Sequence, residues 1–528
     1  MTDIGPGHEE RAPFGRGPGR VLAQGRRAAA LNTVPDALAP ASSAKPAPGR
    51  LVVVSNRVAI PRQDKMAGGL AVAIGEALSA NGGLWVGWSG TLSHDAADRE
   101  PRTRNCGDYE LMTLDLTDRE YAGYYQKFAN QSLWPLLHYR SDLVSYDRPS
   151  RRIYHEVNRR IARTMAPALR PDDIVWIHDF HLLPLGSELR RLGCDNPIGF
   201  FLHIPFPPRQ VVETLPDHQK FFRSLLAYDL VGVQTHADLV CLRNYLHQTY
   251  GAETAITGAF PVGIDVDSFT ALGASPDIGK ERAVLRRSLG DRALMVGVDR
   301  LDYTKGLPER LAAYRAFLER FEAYRNRVVF AQVCPPTREQ LEPYAKIREE
   351  LDGLEGAIHG AFAEFDWTPL RYIRRPVSRT RLAALYRTGR VGLVTPLRDG
   401  MNLVAKEYVA AQDPADPGVL ILSRHAGAAE AMDRALLVNP YDIEAMAAAM
   451  HTALGMPLDE RKDRHGALLD RIRRDDVHAW HEDFLRALKA AARARQRSGG
   501  RRGAALAGSA ARRSTERVPA PATGRGPG

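Results

Sequence analysis

The feature that most constrains the fold is a repeated alternation of short apolar segments with amphipathic helical patterns. The apolar segments are rich in Val, Ile and Leu, as in Leu51–Val54, Ile198–Leu202 and Val328–Val333. Such segments are typical of strands buried on both faces of a parallel sheet. Strands that alternate with helices of about ten to fifteen residues favour a doubly wound arrangement. The sequence therefore predicts an α/β fold.

The alternation falls into two similar runs, which meet at a hinge-like segment, residues 261–265. We predict an N-terminal Rossmann-like domain over residues 51–265 and a C-terminal one over 266–475, facing each other across a cleft. A closing helix over 476–492 could cross back onto the first domain. Two facing units of this kind place their ligands between them.

The net charge of +10 lies in the two ends of the chain. Residues 1–50 and 493–528 are rich in Gly, Ala and Arg without periodicity, so we expect disordered tails. They carry net charges of +3 and +8, which leaves residues 51–492 within about one charge of neutral. A nucleic-acid partner would depend on these tails alone, because no recognition motif accompanies them. We therefore expect small-molecule substrates instead.

Several other classes lack support. No apolar run reaches the ~18 residues of a membrane span, and no signal-peptide pattern is present. The four cysteines show neither metal nor disulfide spacing, which favours a reducing cytoplasm. There is no P-loop, no Gly-x-Ser-x-Gly and no dinucleotide-binding glycine motif, which disfavours nucleotide triphosphate hydrolysis, serine hydrolysis and hydride transfer.

Polar residues follow the predicted strands at their carboxyl ends, where open α/β sheets bind ligands. In the segment Asp299–Gly306, Arg300 and Lys305 suit a diphosphate. The stretch 393–407 indicates a strand, a turn and a helix start, whose free N–H groups attract phosphate. Asp399 and Glu407 there could accept hydrogen bonds from sugar hydroxyls. Each segment could equally be an ordinary strand–helix corner.

Two patterns suggest metal binding only superficially. His178-Asp179-Phe180-His181 has no third ligand at matching spacing, so a hydrogen-bond network at a strand end is favoured. Asp265-Val266-Asp267 is a formal Asp-x-Asp, which in some glycosyltransferases holds a metal, but the pattern is short and the chain has many acids. We expect neither a metal nor a cofactor.

Six motifs together resemble the trehalose-6-phosphate synthase family, retaining glycosyltransferases of family 20 with the two-Rossmann-domain (GT-B) fold. The resemblance covers about residues 51–490, and the motifs occur in family order. They are Val54–Arg57, Ala67–Leu70, Trp176–Asp179, His203–Pro207, Arg300–Gly306 and Arg398–Glu407. It implies transfer of glucose from a nucleotide diphosphate glucose, usually UDP-glucose, to glucose 6-phosphate. The product would be α,α-trehalose 6-phosphate, formed by front-face attack without a metal.

The resemblance also implies an acceptor site. Arg57 and Arg338 would clamp the acceptor phosphate, with Tyr125 as its hydroxyl partner. Asp179 would orient the acceptor, and Trp134 would form a wall that helps to select its anomer.

On the donor side, the resemblance implies that the backbone of Gly68 and Gly69 and the charges of Arg300 and Lys305 hold the diphosphate. His203 and Asp399 would hold the donor glucose. The implied catalytic residues are Asp179, His203, Arg300, Lys305 and Asp399. The nucleoside and phosphates would lie against Leu403, Val404, Ala405, Lys406 and Glu407.

One position departs from the family pattern: Val377 stands where the family often has Phe beside the donor base, which leaves ADP- and GDP-glucose open as donors. Two alternatives also stay open. One is a relative with another acceptor, such as glycerol 3-phosphate or a pseudo-sugar, and the other is a non-catalytic regulatory homologue. We further expect a homo-oligomer.

Overall fold

The computed structural model describes residues 49–58, 74–75, 78, 82–94, 100–251 and 255–513, with side chains described as far as residue 497. These residues form two β-sheets flanked by helices, one within Leu51–Ala259 and the other within Ala293–Val438. The predicted α/β fold with two Rossmann-like units is therefore confirmed. Most of the predicted N-terminal tail, residues 1–48, lies outside the described residues.

The first sheet has eight strands in the order β3-β4-β2-β1-β5-β6-β7-β8. All neighbours pair in parallel except β3 and β4, which form an antiparallel edge. The strands are β1 Leu51–Arg57, β2 Gly83–Ser93, β3 Arg102–Asn105, β4 Tyr109–Thr117, β5 Ile174–His178, β6 Ile198–Phe201, β7 Leu230–Val233 and β8 Ile256–Ala259. The antiparallel edge was not predicted, because β3 consists of exposed polar residues and carries no apolar pattern.

The second sheet has six strands, all parallel, in the order β11-β10-β9-β12-β13-β14. They are β9 Ala293–Val298, β10 Val328–Val333, β11 Leu370–Ile373, β12 Val391–Val394, β13 Val419–Ser423 and β14 Leu436–Val438. The strands β10, β12 and β13 are buried along their whole length. Their sequences are apolar because helices cover both faces of the sheet.

Within the described ranges, twelve longer helices accompany the sheets. They are α1 Arg148–Met165, α2 Leu185–Arg191, α3 His236–Tyr250, α4 Val266–Ala274, α5 Pro276–Leu289, α6 Leu307–Arg320, α7 Glu342–Phe362, α8 Arg379–Thr388, α9 Leu403–Ala411, α10 Ile443–Gly455, α11 Leu458–Arg474 and α12 Val477–Arg513. Short helical turns lie at Asp118–Glu120, Trp134–Leu137, Arg209–Val212 and His218–Phe222, and a π-helix spans Tyr121–Leu133. None of the helices in the described ranges combines the length and apolar character needed to cross a membrane.

The last helix, α12, leaves the second sheet and packs on the first. The ring of Phe484 stacks on Trp176 of β5, with centroids 4.7 Å apart. It also lies against Gly199 and Gly232, where a Cβ would come within 2.8 and 2.7 Å of the Phe484 ring. Glycines on β6 and β7 therefore make room for the aromatic side chain that ties the end of the chain to the first sheet.

The bounds of the predicted tails need correction at both ends. Arg50, predicted to lie in the first tail, donates to the carboxylate of Asp173 at 2.9 Å. Helix α12 continues beyond the predicted end at residue 492, and Arg495 on it pairs with Asp229 at 3.0 Å. Ala and Arg are strong helix formers, so a composition typical of disorder also suits a helix anchored by packing. Residues 514–528 lie outside the described residues.

The chain crosses between the two sheets twice, and the crossings run side by side. The N–H of Val477 donates to the carbonyl of Ile264 at 3.3 Å. A Cβ at Gly263 would lie 2.1 Å from the backbone of Asp476. The segment 261–265 thus lies beside the start of α12, as a hinge between two facing units would.

Candidate active site

The strand orders define where each sheet can bind a ligand. In the first sheet β1 and β5 are neighbours, and in the second β9 and β12 are. Each pair is the point where the strand order reverses, and such points open a crevice at the carboxyl ends of the strands. Arg57, Asp179, Arg300 and Asp399 lie at or just beyond the ends of these four strands. These four predicted site residues therefore lie at the two crevices.

Two loops of the second unit meet over an ion pair. The Lys305 ammonium donates to the carboxylate of Asp399, and both side chains are nearly buried. The amide of Asn402 donates to the same carboxylate at 3.1 Å. The N–H of Leu397 also donates to the carbonyl of Thr304 at 2.9 Å, so the two loops are joined through the backbone as well.

Helix α9 begins directly beyond this pair. Its N-cap is Asn402, which has a positive φ of 73° and provides no side-chain cap. The backbone N–H groups of Leu403, Val404 and Ala405 have no acceptor within the described residues. Three free N–H groups and the positive end of the helix dipole make this helix start suited to an anion.

The next two side chains of α9 differ in direction. Lys406 is 2% exposed and donates to the hinge carbonyl of Val262 at 2.7 Å, and burial lowers its pKa to about 8. Its ammonium therefore lies at the hinge, and contact of Lys406 with the donor stays a prediction. Glu407 is partly exposed and accepts from the hydroxyl of Tyr386 at 3.3 Å, and burial raises the pKa of its carboxyl.

Arg338 extends from the second unit to the first. Its guanidinium lies 4.3 Å from the ring centroid of Trp134, and its Nη1 donates to the hydroxyl of Tyr344 at 2.6 Å. Its Nε is buried and has no hydrogen-bond partner within the described residues. Arg338 therefore keeps one N–H group that no side chain or backbone group of the described residues uses.

A wall of stacked rings lies on the first unit. Tyr125 stacks on Tyr121 with centroids 5.3 Å apart and on His181 at 5.7 Å. Burial lowers the pKa of His181 to about 3, so this ring is neutral. Stacked neutral rings suit the apolar faces of a sugar, although most such rings in proteins only fill a core.

Two cations converge on this wall. The guanidinium of Arg57 lies 5.7 Å from the ring centroid of Trp88. Burial raises the pKa of Tyr121, and Arg57 and Arg338 both oppose that rise, so both guanidinium groups lie near this ring. The two predicted phosphate clamps, which are far apart in sequence, therefore both act on the ring of Tyr121.

Asp179 follows β5 in an unusual conformation, with φ 77° and ψ 165°. Its carboxylate accepts from the N–H of His203 at 3.2 Å. Burial raises its pKa to about 6, although two backbone N–H groups, Arg338 and Arg300 act in the other direction. A side chain held in a rarely populated backbone region is typical of a functional position.

His203 takes part in a network of neutral rings. Its Nε2 lies 3.0 Å from Nδ1 of His178, and its Nδ1 lies 3.4 Å from Nε2 of Gln234. Burial lowers the pKa of His203 to about 3 and that of His178 well below the usual value. His203 is therefore neutral and can act on a sugar only as a hydrogen-bonding group.

The remaining predicted residues are less constrained. Arg300 is exposed, and its charge lowers the pKa values of Asp179 and Asp302, so it lies near carboxylates of both units. Val377 is half-buried between β11 and α8. Gly68 and Gly69 lie outside the described residues.

The two units touch directly beside these groups. A Cβ at Gly400 would lie 2.1 Å from the carbonyl oxygen of His203. The carboxylate of Glu430 accepts from the N–H groups of His236 and Ala237, at 2.9 and 3.1 Å, at the start of α3. The predicted cleft is therefore closed over its inner end in this conformation.

The suggested metal patterns have structural roles. Asp265 caps α4 by accepting from the N–H of Ser268 at 2.8 Å. Within the described residues, no group of three or more His, Cys, Asp or Glu side chains is arranged to hold a metal ion.

Several site residues were not predicted from the sequence. They are Tyr344 and Asp302 behind Arg338, His178 behind His203, and Glu430 at the domain contact. Asp302 and His178 lie inside the recognised motifs, so the motifs could have indicated them. Tyr344 lies within helix α7 and resembles any buried tyrosine in the sequence.

Fold and site together define the class of this protein as a glycosyltransferase of the GT-B type, in which two Rossmann-like domains face each other. The chain belongs to glycosyltransferase family 20, whose family model matches residues 50–490. The resemblance indicated by the six motifs is therefore confirmed.

Three relatives show the extent of the similarity. The trehalose-6-phosphate synthase of Sinorhizobium fredii is 45% identical over 456 residues, which cover 84% of this chain and 98% of that protein. An α,α-trehalose-phosphate synthase (UDP-forming) from Burkholderia xenovorans, solved in complex with glucose-6-phosphate, is 45% identical with a TM-score of 0.80, over 83% of this chain and 100% of that chain. A structure from E. coli bound with UDP-2-fluoro glucose is 43% identical with a TM-score of 0.80, over 84% of this chain and 99% of that chain.

Proposed function

We propose that this protein transfers glucose from UDP-glucose to the anomeric hydroxyl of glucose 6-phosphate and forms α,α-trehalose 6-phosphate with retention of configuration. The observation that supports the proposal is the arrangement of basic groups and free N–H groups at two places in one cleft, each suited to an anion. Lys305 and the start of α9 form one, and Arg57 and Arg338 form the other. A nucleotide diphosphate donor and a phosphorylated acceptor together require this pair of sites.

The donor site acts on the leaving group. As the bond between the glucose C1 and the diphosphate oxygen breaks, negative charge grows on that diphosphate. Lys305, Arg300 and the free N–H groups of α9 stabilise this charge. Asp399 and the neutral His203 hold the donor glucose, Glu407 holds the ribose, and the backbone of Gly68 and Gly69 contacts the diphosphate.

The acceptor site positions the nucleophile. Arg57, Arg338 and Tyr125 hold the phosphate, and Trp134 lines the sugar. Asp179 orients the acceptor so that its anomeric hydroxyl attacks C1 from the face that the diphosphate leaves. The hydroxyl proton passes to the departing diphosphate, so nucleoside diphosphate and disaccharide phosphate are the products. Positioning and electrostatic stabilisation supply the catalysis.

The experiment is nucleotide release by the full chain with glucose 6-phosphate, comparing UDP-, ADP- and GDP-glucose. We expect α,α-trehalose 6-phosphate, identified by mass and by the anomeric couplings in the NMR spectrum. The Val377→Phe variant is measured in parallel, and we expect it to raise the preference for UDP-glucose over the other two donors. An unchanged ranking would show that this position does not read the base.

The alternatives predict different outcomes. A relative with another acceptor would bind a donor but release no nucleotide with glucose 6-phosphate, and would respond to glycerol 3-phosphate instead. A regulatory homologue would bind none of the three donors productively. The paired Lys305 and Asp399 favour an active donor site. Assembly as a homo-oligomer and action in the cytoplasm remain predictions from the sequence.

A further inference from the structure

A buried network of Tyr344 and Asp302 holds the guanidinium of Arg338. The hydroxyl of Tyr344 donates to Oδ2 of Asp302 at 3.1 Å, and Nη1 of Arg338 reaches the same oxygen at 3.4 Å. Asp302 is 0% exposed and Tyr344 is 1% exposed. A carboxylate buried so completely must be satisfied by charge and hydrogen bonds, which ties it closely to its partners.

The other oxygen of Asp302 fixes the loop itself. Its Oδ1 accepts from the N–H and the hydroxyl of Thr304, at 3.0 and 2.9 Å. Although burial acts to raise the pKa of Asp302, Arg338, Arg300 and Lys305 together hold it below its usual value. One carboxylate therefore faces the cations of both anion sites.

Arg338 needs such support because its own backbone does not place it. Its φ is 51°, in a region that residues other than glycine rarely adopt. Long arginine side chains also lose much rotamer freedom when they are ordered. Tyr344 and Asp302 hold Nη1, Trp134 holds the face of the guanidinium, and Nε remains unused.

We infer that Asp302 and Tyr344 are positioning residues, which fix Arg338 for the acceptor phosphate and link that clamp to the donor loop 299–306. The inference rests on the proposed function, because it takes the phosphate of the acceptor as the ligand of Arg338. It predicts that donor and acceptor bind cooperatively. The first ligand to bind orders loop 299–306, so the second ligand binds to a loop that is already ordered and binds more tightly.

Tyr344→Phe tests the positioning role with little change in shape. We expect KM for glucose 6-phosphate to rise about tenfold, as for loss of a hydrogen bond to a charged group. We expect kcat and the donor KM to stay within about twofold. Tyr314→Phe is the matched control, because Tyr314 is a buried tyrosine of the same unit whose hydroxyl donates to the carbonyl of Pro369 at 2.9 Å.

A double-mutant cycle with Arg338→Ala separates positioning from general packing. If Tyr344 acts through Arg338, Tyr344→Phe should raise KM by less than about twofold in the Arg338→Ala background. An effect of full size in that background overturns the inference. Equal increases in donor and acceptor KM, or the same increase in Tyr314→Phe, also overturn it.

The link to the donor loop is tested by binding. We expect the dissociation constant of UDP to fall severalfold when glucose 6-phosphate saturates the wild-type protein, and this factor to approach one in Asp302→Asn. A wild-type factor of one overturns the link. If Arg338→Ala leaves KM for glucose 6-phosphate unchanged, the acceptor site of the proposed function is wrong. If Arg338→Ala raises KM and Tyr344→Phe does not, the positioning role alone is wrong.

Discussion

The two sides of the cleft are built from different kinds of side chain. The side from the first unit consists mainly of neutral rings, with Arg57 and Asp179 beside them, and burial keeps His178, His181 and His203 uncharged. The side from the second unit consists of paired charges, with Lys305 on Asp399 and Arg338 on Asp302. A sugar needs shape and hydrogen bonds, whereas a diphosphate needs charge.

The difference also affects how each side tolerates change. A neutral ring contributes packing and can be replaced by a ring of similar size at modest cost. Removing one member of a buried ion pair leaves the other charge without compensation, which costs far more than the pair contributes. Substitutions on the charged side should therefore have the larger effects on both activity and stability.

The largest effect is expected for Lys305→Ala. This change removes a cation from the diphosphate and leaves the nearly buried carboxylate of Asp399 unpaired. We expect kcat/KM to fall about 10²- to 10³-fold, as for loss of one group that stabilises a developing anion. Steady-state kinetics and UDP binding measure it. Lys346→Ala is the control, because Lys346 pairs with Glu342 on the exposed surface of α7. A loss of kcat/KM below tenfold in Lys305→Ala would contradict the expectation that substitutions on the charged side have the larger effects.

Asp179→Asn removes the carboxylate that the first unit places near its ring wall. We expect kcat/KM to fall about 10- to 100-fold at neutral pH, as for loss of a hydrogen bond to a charged group. The pKa of Asp179 is about 6, so the wild-type kcat/KM should fall as the pH drops through 6. This acid limb should be absent from Asp179→Asn. It should persist in Asp416→Asn, because Arg390 and Arg461 hold the pKa of Asp416 at about 2.

We expect Asp179→Asn to raise the stability of the protein at neutral pH, although it lowers the activity. Because burial raises the pKa of Asp179 from 3.8 to about 6, the folded state binds more protons than the unfolded state between these values. Wild-type stability therefore falls as the pH rises through this window, relative to a variant without the carboxyl. Asp179→Asn should melt at a higher temperature than wild type at pH 7.5 and show a smaller difference at pH 4. An equal difference at both pH values would contradict the burial argument.

Local signals explain what the sequence predicted correctly. The apolar run Leu51–Val54 and the polar residues after each strand are visible without the fold, so both sheets and the edges at which polar residues lie could be predicted. The family motifs then implied which side chains face the ligands, and the structure brings Lys305 to Asp399 and Arg57 near Arg338.

What could not be predicted depends on direction and on distant contacts. Lys406 lies within a family motif, but its position on α9 turns its side chain to the hinge carbonyl of Val262. Tyr344 contacts Asp302, which is 42 residues earlier, through an approach that only the packed fold creates. The end of α12 could not be predicted, because composition alone does not show that Arg495 finds a partner in Asp229.

Glu430→Gln tests the contact that joins the two sides. Glu430 caps α3 across the domain contact, and a carboxylate at a helix start contributes about 0.3–1 kcal/mol. The amide keeps a hydrogen-bond acceptor but loses the charge, so we expect kcat/KM to change by less than about fivefold. The difference from wild type should shrink at high salt. Glu444→Gln, which breaks an exposed pair with Arg320, is the control and should show no kinetic change.

The smallest kinetic effect is expected for Lys406→Met, although Lys406 lies in the donor-side helix. Its ammonium donates to the hinge carbonyl of Val262, so the donor KM should change by less than about twofold. An increase in the donor KM above about fivefold would support the predicted contact between Lys406 and the donor. Burial lowers its pKa from 10.5 to about 8, so the folded state binds fewer protons than the unfolded state between these values. Wild-type stability should therefore rise relative to Lys406→Met as the pH increases from 8 to 10. The exposed Lys462→Met variant should follow the wild-type melting curve across that range, because it removes a lysine that the fold does not desolvate.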